Sequence, residues 1–415
     1  MLTKDHTVVI VGAGLAGAKA AETLREEGFP GRVVLIGEET ERPYERPPLS
    51  KGLLLGSAER DTVYVHPEGW YAEHDIDLRT GTRVVDVDRS ARQVRLADGE
   101  RIGYDKLLLA TGSSPRRLDV PGADLDGVLY LRALTDSDRI GGALTDGARI
   151  VVVGGGWIGL EIAAAARQRG AHVTVVEAAE LPLLRVLGPQ VAQLFADLHR
   201  RHGVVFHVNS GVREIRGDRR VTSVVLTDGT ELPADAVVVG VGVQPNVDLA
   251  ERAGLQVDNG IVVDASLRTS DPDIYAAGDV ANAYHPLLER RVRVEHWANA
   301  LDGGPAAARA ILGQQVSYDR LPYFYTDQYE LGMEYVGHVE PDGYDTVVFR
   351  GDPTAGDNPE FIAFWLSGDR VLAGMNVNVW DVVDQIRPLV RAGHSGKPVD
   401  VAKLRDPAVP LGDLV

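Results

Sequence analysis

Val8-Val9-Ile10-Val11, followed by Gly12-Ala13-Gly14-Leu15-Ala16-Gly17, is the stretch that decides how this chain folds. Four β-branched apolar residues in a row leave no polar face, which suits a parallel strand covered by helices on both sides. Glycine then stands at the first, third and sixth of the next six positions, and an alanine-rich stretch to about Glu27 reads as a helix. Val33-Val34-Leu35-Ile36-Gly37-Glu38 follows as a second strand. The same order returns in Ile150-Val151-Val152-Val153, Gly154-Gly155-Gly156-Trp157-Ile158-Gly159, a helix to about Arg169, and His172-Val173-Thr174-Val175-Val176-Glu177. The spacing predicts two βαβ units.

Each glycine has its own physical reason. Gly12 and Gly154 allow the tight turn, Gly14 and Gly156 let a pyrophosphate approach the backbone, and Gly17 and Gly159 let the helix pack close to the strand. The helix N-terminus then faces the phosphates. Glu38 and Glu177, at the end of the second strand of each unit, can accept hydrogen bonds from adenosine ribose hydroxyls. No Arg or Lys follows Glu177 before Arg185, which favours NADH over NADPH, because a 2′-phosphate needs a cation there.

Outward from these loops lie shorter strands. Arg92 to Leu96 precedes Asp98-Gly99, and Lys106 to Ala110 precedes Thr111-Gly112-Ser113; in the second half Val221 to Leu226 precedes Asp228-Gly229, and Ala236 to Val241 follows. After about Leu321 the pattern becomes an aromatic-rich alternation, at Glu360 to Leu366 and Val371 to Val377, as in a smaller α+β domain. A length of 415 residues with 44% apolar and 25% charged residues fits several globular domains. A net charge of −17 without a long basic run argues against nucleic acid or an anionic membrane surface as partner. The apolar stretch Thr7 to Ala18 ends at Lys19, too short to span a bilayer, so a cytoplasmic protein is expected. There is no cysteine, which excludes disulfides, thiolate zinc sites and a Cys-based redox pair. Among eleven histidines, His285, His296 and His338 read as core or surface residues, and no metal is expected.

Thr269-Ser270-Asp271-Pro272-Asp273-Ile274-Tyr275-Ala276-Ala277-Gly278-Asp279 sets a short apolar strand before Gly-Asp. Here the chain resembles the two-dinucleotide-fold flavoprotein reductases, in which such a segment supplies an Asp to the ribityl and phosphate region of FAD. Ala110-Thr111-Gly112 matches a strand end between the two nucleotide folds of that family. The order of motifs implies FAD on the first glycine loop and NADH on the second. Without cysteine, the disulfide-reductase and Cys-dependent oxidase or peroxidase branches drop out. A fuller likeness, over essentially the whole chain, is to the NADH-dependent ferredoxin reductases of bacterial oxygenase systems. It rests on Pro43-Tyr44-Glu45-Arg46-Pro47-Pro48-Leu49-Ser50-Lys51, Tyr130-Leu131-Arg132, Val241-Gly242-Val243-Gln244-Pro245-Asn246 and Asp327-Gln328-Tyr329-Glu330.

That resemblance implies FAD contacts from Ala16, Glu38, Arg46, Lys51, Val84, Ala110, Arg132, Asp279 and Trp297, and NADH contacts from the Gly154–Gly159 loop including Ile158, from Glu177 and from Gly242. It implies Lys51 at the flavin N5 edge, paired with Glu161. Where the family often has Trp, this chain has Tyr325. The implied domains are 1–117 with 247–320 for FAD, 118–246 for NAD, and 321–415 as the C-terminal α+β domain. The implied activity is electron transfer from NADH through FAD to a small iron–sulfur protein, a [2Fe-2S] ferredoxin, a rubredoxin or a Rieske-type ferredoxin, by a monomer or homodimer. Docking an acidic ferredoxin requires a local basic surface despite the net charge. Two other readings share these motifs: an NADH oxidase or quinone reductase, and a redox-sensing flavoprotein with slow turnover.

Overall fold

In a computed structural model, residues 2–414 are described, and they form two compact units. The first contains the chain up to Glu45, Asp61–Ser114 and Gln244–Pro322. The second contains Arg46–Arg60, Pro115–Val243 and the chain from Tyr323 on.

The first unit is built on a parallel five-stranded sheet in the spatial order Ile274–Ala276, Lys106–Leu109, Thr7–Val11, Arg32–Ile36, Ile76–Arg79. Val9 lies between Val34 and Leu107 in register, so the apolar runs of three strands meet at the centre. Val8, Val9 and Ile10 are fully buried, as strands covered on both faces must be. Helices Leu15–Glu26 and Trp297–Ile311 pack together through small residues. A Cβ on Gly304 would come within 2.2 Å of the Ala16 carbonyl oxygen, which shows how close the two backbones run. The antiparallel strands Val84–Asp88, Gln93–Leu96 and Arg101–Gly103 form a separate small sheet.

The second unit repeats this plan with Val205–His207, His172–Val176, Arg149–Val153, Ala236–Val239 and Val128–Tyr130, again all parallel. Its own meander is Val212–Gly217, Val221–Leu226 and Glu231–Pro233. The same unit holds an antiparallel sheet in the order Tyr323–Gln328, Leu331–Gly337, Arg370–Val377, Phe361–Ser367, Thr346–Gly351, with helix Val383–His394 packed on it. This is the α+β arrangement read from the alternating aromatic pattern. The long helix Leu184–Arg201 lends Leu187, Val191, Phe195 and Leu198 to the same core as Phe324, Met333, Trp365 and Met375. Trp365 anchors there by donating its indole N–H to the Leu187 carbonyl at 3.1 Å.

Candidate functional site

The three glycines of each loop differ in the space around them. In the first unit a Cβ on Gly12 would lie 2.0 Å from the Ala110 oxygen, and one on Gly17 would lie 2.0 Å from the Gly12 oxygen. Both contacts are with backbone and leave no room for a side chain. A Cβ on Gly14, by contrast, meets nothing within 4 Å. The second unit repeats the pattern: 2.3 Å from Gly154 to the Gly240 oxygen, 2.1 Å from Gly159 to the Gly154 oxygen, and open space at Gly156. Each loop therefore presents a bare middle glycine at the start of its helix, Leu15–Glu26 or Trp157–Gln168, where backbone N–H groups attract phosphate. The residues present fit a dinucleotide at both places.

Around the first loop the structure gathers Ala110 against Gly12, and Gly278 against Ala16, where an added Cβ would be 3.1 Å from the Ala16 Cβ. Asp279 follows in a single turn, Gly278–Val280, and accepts a 2.7 Å hydrogen bond from the Ser113 hydroxyl. Val84 is buried at the start of its strand opposite Leu96, and Trp297 opens its helix half-buried. Glu38 is exposed, with Arg83 at 3.6 Å.

In the second unit Glu177 accepts hydrogen bonds from the Gly155 N–H at 2.6 Å and the Ala179 N–H at 2.8 Å. Ile158, within the loop, and Val241, beside Gly242, keep 43% and 37% of their surface exposed, apolar positions that a bound ring or ribose can cover. Gly242 has φ +94°, and its carbonyl accepts from the Arg116 N–H. Arg46 donates from its guanidinium to the Arg132 carbonyl oxygen, so those two residues are also brought together here.

Lys51 and Glu161 meet in this unit. Lys51 follows the short turn Pro47–Ser50, and Glu161 points out of the buried face of helix Trp157–Gln168. The Lys51 ammonium lies 2.7 Å from Glu161 Oε1, with the two side chains 16% and 5% exposed. Ser50 donates to Glu161 Oε2, and the Thr326 hydroxyl donates to Oε1 at 2.6 Å. The Tyr325 ring centroid lies 5.3 Å from the Lys51 nitrogen, a cation–π contact. Burial pushes the neighbouring Asp327 carboxyl above its ordinary range; Lys51 draws it back and Glu161 adds to the rise.

Sequence reasoning missed Ser50 and Thr326 as partners of this pair, and Gln328 and His199 behind Thr326. His199 is fully buried, its imidazole 2.8 Å from Gln328 Oε1, and burial pushes its pKa down to about 4. The signal was present in helix Leu184–Arg201, where Val191, Phe195 and His199 recur at i, i+4 on the apolar face. Among the described residues, no cluster of His, Asp and Glu is arranged to hold a metal, and no helix is long and apolar enough to cross a membrane.

Two nucleotide-type folds in one chain, each with an open middle glycine, mark a protein that binds two dinucleotides. The chain belongs to the pyridine nucleotide-disulphide oxidoreductase family, whose pattern matches residues 6–304, and residues 323–415 match the reductase C-terminal domain. With no cysteine, it cannot use the disulphide chemistry in the family's name. It is 40% identical to putidaredoxin reductase of Pseudomonas putida over 100% of this chain and 98% of that protein. To the ferredoxin–NAD(+) reductase component of the anthranilate 1,2-dioxygenase system of Burkholderia cepacia it is 43% identical, over 97% of this chain and 98% of that one. The solved covalent complex of putidaredoxin reductase with putidaredoxin contains a chain with TM-score 0.93 and 40% identity, covering 99% of this chain and 98% of that chain. The protein is an oxidoreductase of the ferredoxin–NAD(+) reductase kind, with FAD and NADH as its cofactors.

Proposed function

We propose that this chain takes hydride from NADH and delivers electrons one at a time to a small [2Fe-2S] ferredoxin. The observation that carries the reading is the pair of matched glycine loops, bare at Gly14 and Gly156, in a chain with no cysteine to accept or store electrons. FAD, when bound, supplies the conversion between two-electron and one-electron chemistry.

The protein's own residues supply binding and electrostatics. Gly12, Gly14, Ala16, Gly17, Glu38, Val84, Ala110, Asp279 and Trp297, with Arg46 and Arg132, are assigned to holding FAD. Gly154, Gly156, Ile158, Gly159, Glu177 and Gly242 are assigned to NADH. Lys51 provides a fixed positive charge for the hydride-transfer step, and Glu161 holds that ammonium in place. The Tyr325 ring adds a cation–π contact to the same ammonium.

The test is anaerobic cytochrome c reduction by the FAD-loaded protein with NADH, with and without added [2Fe-2S] ferredoxin. Saturable stimulation by the ferredoxin is expected. Stimulation only by a rubredoxin or a Rieske-type protein would change the partner, and fast NADH oxidation in air or with an added quinone, indifferent to every iron–sulfur protein, would replace the reading with an oxidase or quinone reductase.

A further inference from the structure

Behind the Lys51–Glu161 pair a line of polar side chains runs through an otherwise apolar core. The Thr326 hydroxyl donates to Glu161 Oε1 at 2.6 Å; the Gln328 amide donates to Thr326 Oγ1 at 3.2 Å; His199 Nε2 lies 2.8 Å from Gln328 Oε1; and the Tyr329 hydroxyl lies 3.4 Å from His199 Nδ1. Thr326 and Gln328 are 1% exposed and His199 is 0% exposed. Leu160, Phe195, Leu198, Phe324 and Met333 belong to the surrounding core.

The chemistry of each group gives this line one direction. Burial keeps the His199 imidazole neutral at physiological pH, so it carries a single N–H. The Gln328 carbonyl oxygen can only accept, so that proton sits on Nε2 and Nδ1 is left to accept from Tyr329. With the Gln328 oxygen engaged, its NH₂ faces Thr326 and fills the acceptor side of that hydroxyl. The one proton of Thr326 is then committed to Glu161. Every donor points toward the carboxylate, and aligned hydrogen bonds of this kind polarise one another in a low-dielectric interior.

Leucine or phenylalanine would fill these positions without the cost of burying polar groups. Thr326 and Gln328 alternate on the inward face of strand Tyr323–Gln328, while Tyr325 and Asp327 lie on the other face. One strand therefore reaches the Lys51–Glu161 pair twice: Thr326 on Glu161 and Tyr325 on Lys51.

We propose that His199 and Gln328 are positioning residues which, through Thr326, hold the Glu161 carboxylate and with it the Lys51 ammonium in one orientation. This rests on the reading of that pair as serving hydride transfer. His199 and Gln328 touch neither cofactor in this scheme. They act by removing alternative hydroxyl and carboxylate orientations, so their loss reduces the fraction of protein with the ammonium in its working place.

The experiment uses the FAD-loaded protein and anaerobic stopped-flow reduction of the flavin by NADH, together with the flavin midpoint potential. Gln328→Leu and His199→Phe are expected to lower the limiting reduction rate about tenfold, the equivalent of roughly 1.4 kcal/mol and within the range for loss of one neutral hydrogen bond, with the dissociation constant for NADH unchanged. His199→Gln, whose amide nitrogen can stand where Nε2 stands, is expected to recover the rate. The midpoint potential should shift in the same direction in Gln328→Leu, His199→Phe and Glu161→Gln, and stay at the wild-type value in His199→Gln. Adding Gln328→Leu to Glu161→Gln should slow the reaction no further. Wild-type rate and potential in folded Gln328→Leu, or additive losses in the double variant, would overturn the relay while leaving the pair intact. If Glu161→Gln itself changes neither rate nor potential, the assignment of the pair fails, and the relay with it. Thermal melting of each variant identifies any that does not fold; Gln328→Leu decides if His199→Phe is lost that way.

Discussion

The two glycine loops are near copies in backbone and differ in where they put their acid. The register shows why. The Gly12 N–H bonds to the Ile36 carbonyl and the Gly154 N–H to the Val176 carbonyl, so Gly37 in the first unit is the counterpart of Glu177 in the second, and Glu38 stands one residue further on. Within the loops, Ala13 corresponds to Gly155. A Cβ on Gly37 would meet the Ala13 Cβ at 2.6 Å, whereas one on Gly155 would meet Glu177 Oε2 at 3.0 Å and Pro182 Cβ at 2.9 Å. The same small space is filled by a loop methyl in the first unit and by a carboxylate and a proline in the second. Duplicated folds can thus keep the three glycines of each fingerprint and still hold their acids differently: Glu177 is tied to its loop, and Glu38 is left exposed.

The largest effects should come from the positions at which the loops agree. Gly17→Ala and Gly159→Ala each force a methyl to about 2 Å from a backbone oxygen, and either should cost roughly 3 kcal/mol or more. Gly14→Ala and Gly156→Ala should leave the cofactor-free melting temperatures unchanged, because nothing in the chain lies within 4 Å of the new methyl. They should separate the cofactors instead: Gly14→Ala releases FAD, while Gly156→Ala keeps FAD and raises the KM for NADH about tenfold, the equivalent of roughly 1.4 kcal/mol. FAD loss from Gly156→Ala rather than Gly14→Ala would reverse the assignment of the loops.

Acid should distinguish the units next. The His199 pKa near 4 in the folded chain compares with about 6.5 in an unfolded one. Below pH 6.5 the unfolded chain takes up a proton that the folded second unit refuses, so stability falls with pH through the window from 6.5 to 4. At pH 5 this single group costs the fold about 2 kcal/mol relative to pH 7. The first unit has His66, lowered by burial but drawn back by Glu22. Urea unfolding at pH 7 and pH 5 should show a steeper acid loss for the wild type than for His199→Gln. Equal losses in the two proteins would mean that His199 takes its proton without unfolding.

The division between what the sequence discloses and what it hides follows from range. Both βαβ units were legible because strand, turn and helix lie within some thirty residues and each has its own period. Strand ends at Val11, Ile36, Val153 and Val176 therefore fall where the apolar runs stop. The offset between Glu38, two residues past Ile36, and Glu177, one past Val176, can be counted in the sequence, but its consequence was not legible, since only the fold brings Glu177 onto the Gly155 N–H. Lys51 and Glu161 entered through family resemblance; nothing local joins residues 110 apart in the chain. His199 and Gln328 are 129 apart and lie on a helix and a strand whose apolar patterns hide their polar members.

The smallest expected effect tests the acids themselves. Glu177→Ala removes the acceptor for the Gly155 and Ala179 N–H groups, and leaving part-buried donors without a partner should cost about 1–2 kcal/mol in the cofactor-free protein. Glu38→Ala removes a side chain 71% exposed, with one cation 3.6 Å away, and should not move the cofactor-free melting temperature. Adding each cofactor then inverts the comparison. Glu38 has made no commitment to its loop, so its truncation should appear almost wholly as weaker FAD retention. Glu177 has, so part of its loss is already present before NADH arrives and the remaining effect on KM is smaller than its stability cost suggests. Equal melting shifts for the two cofactor-free variants would mean that the hydrogen bonds to Gly155 and Ala179 do not hold the second loop, and the distinction drawn from Ala13 and Gly155 would fall.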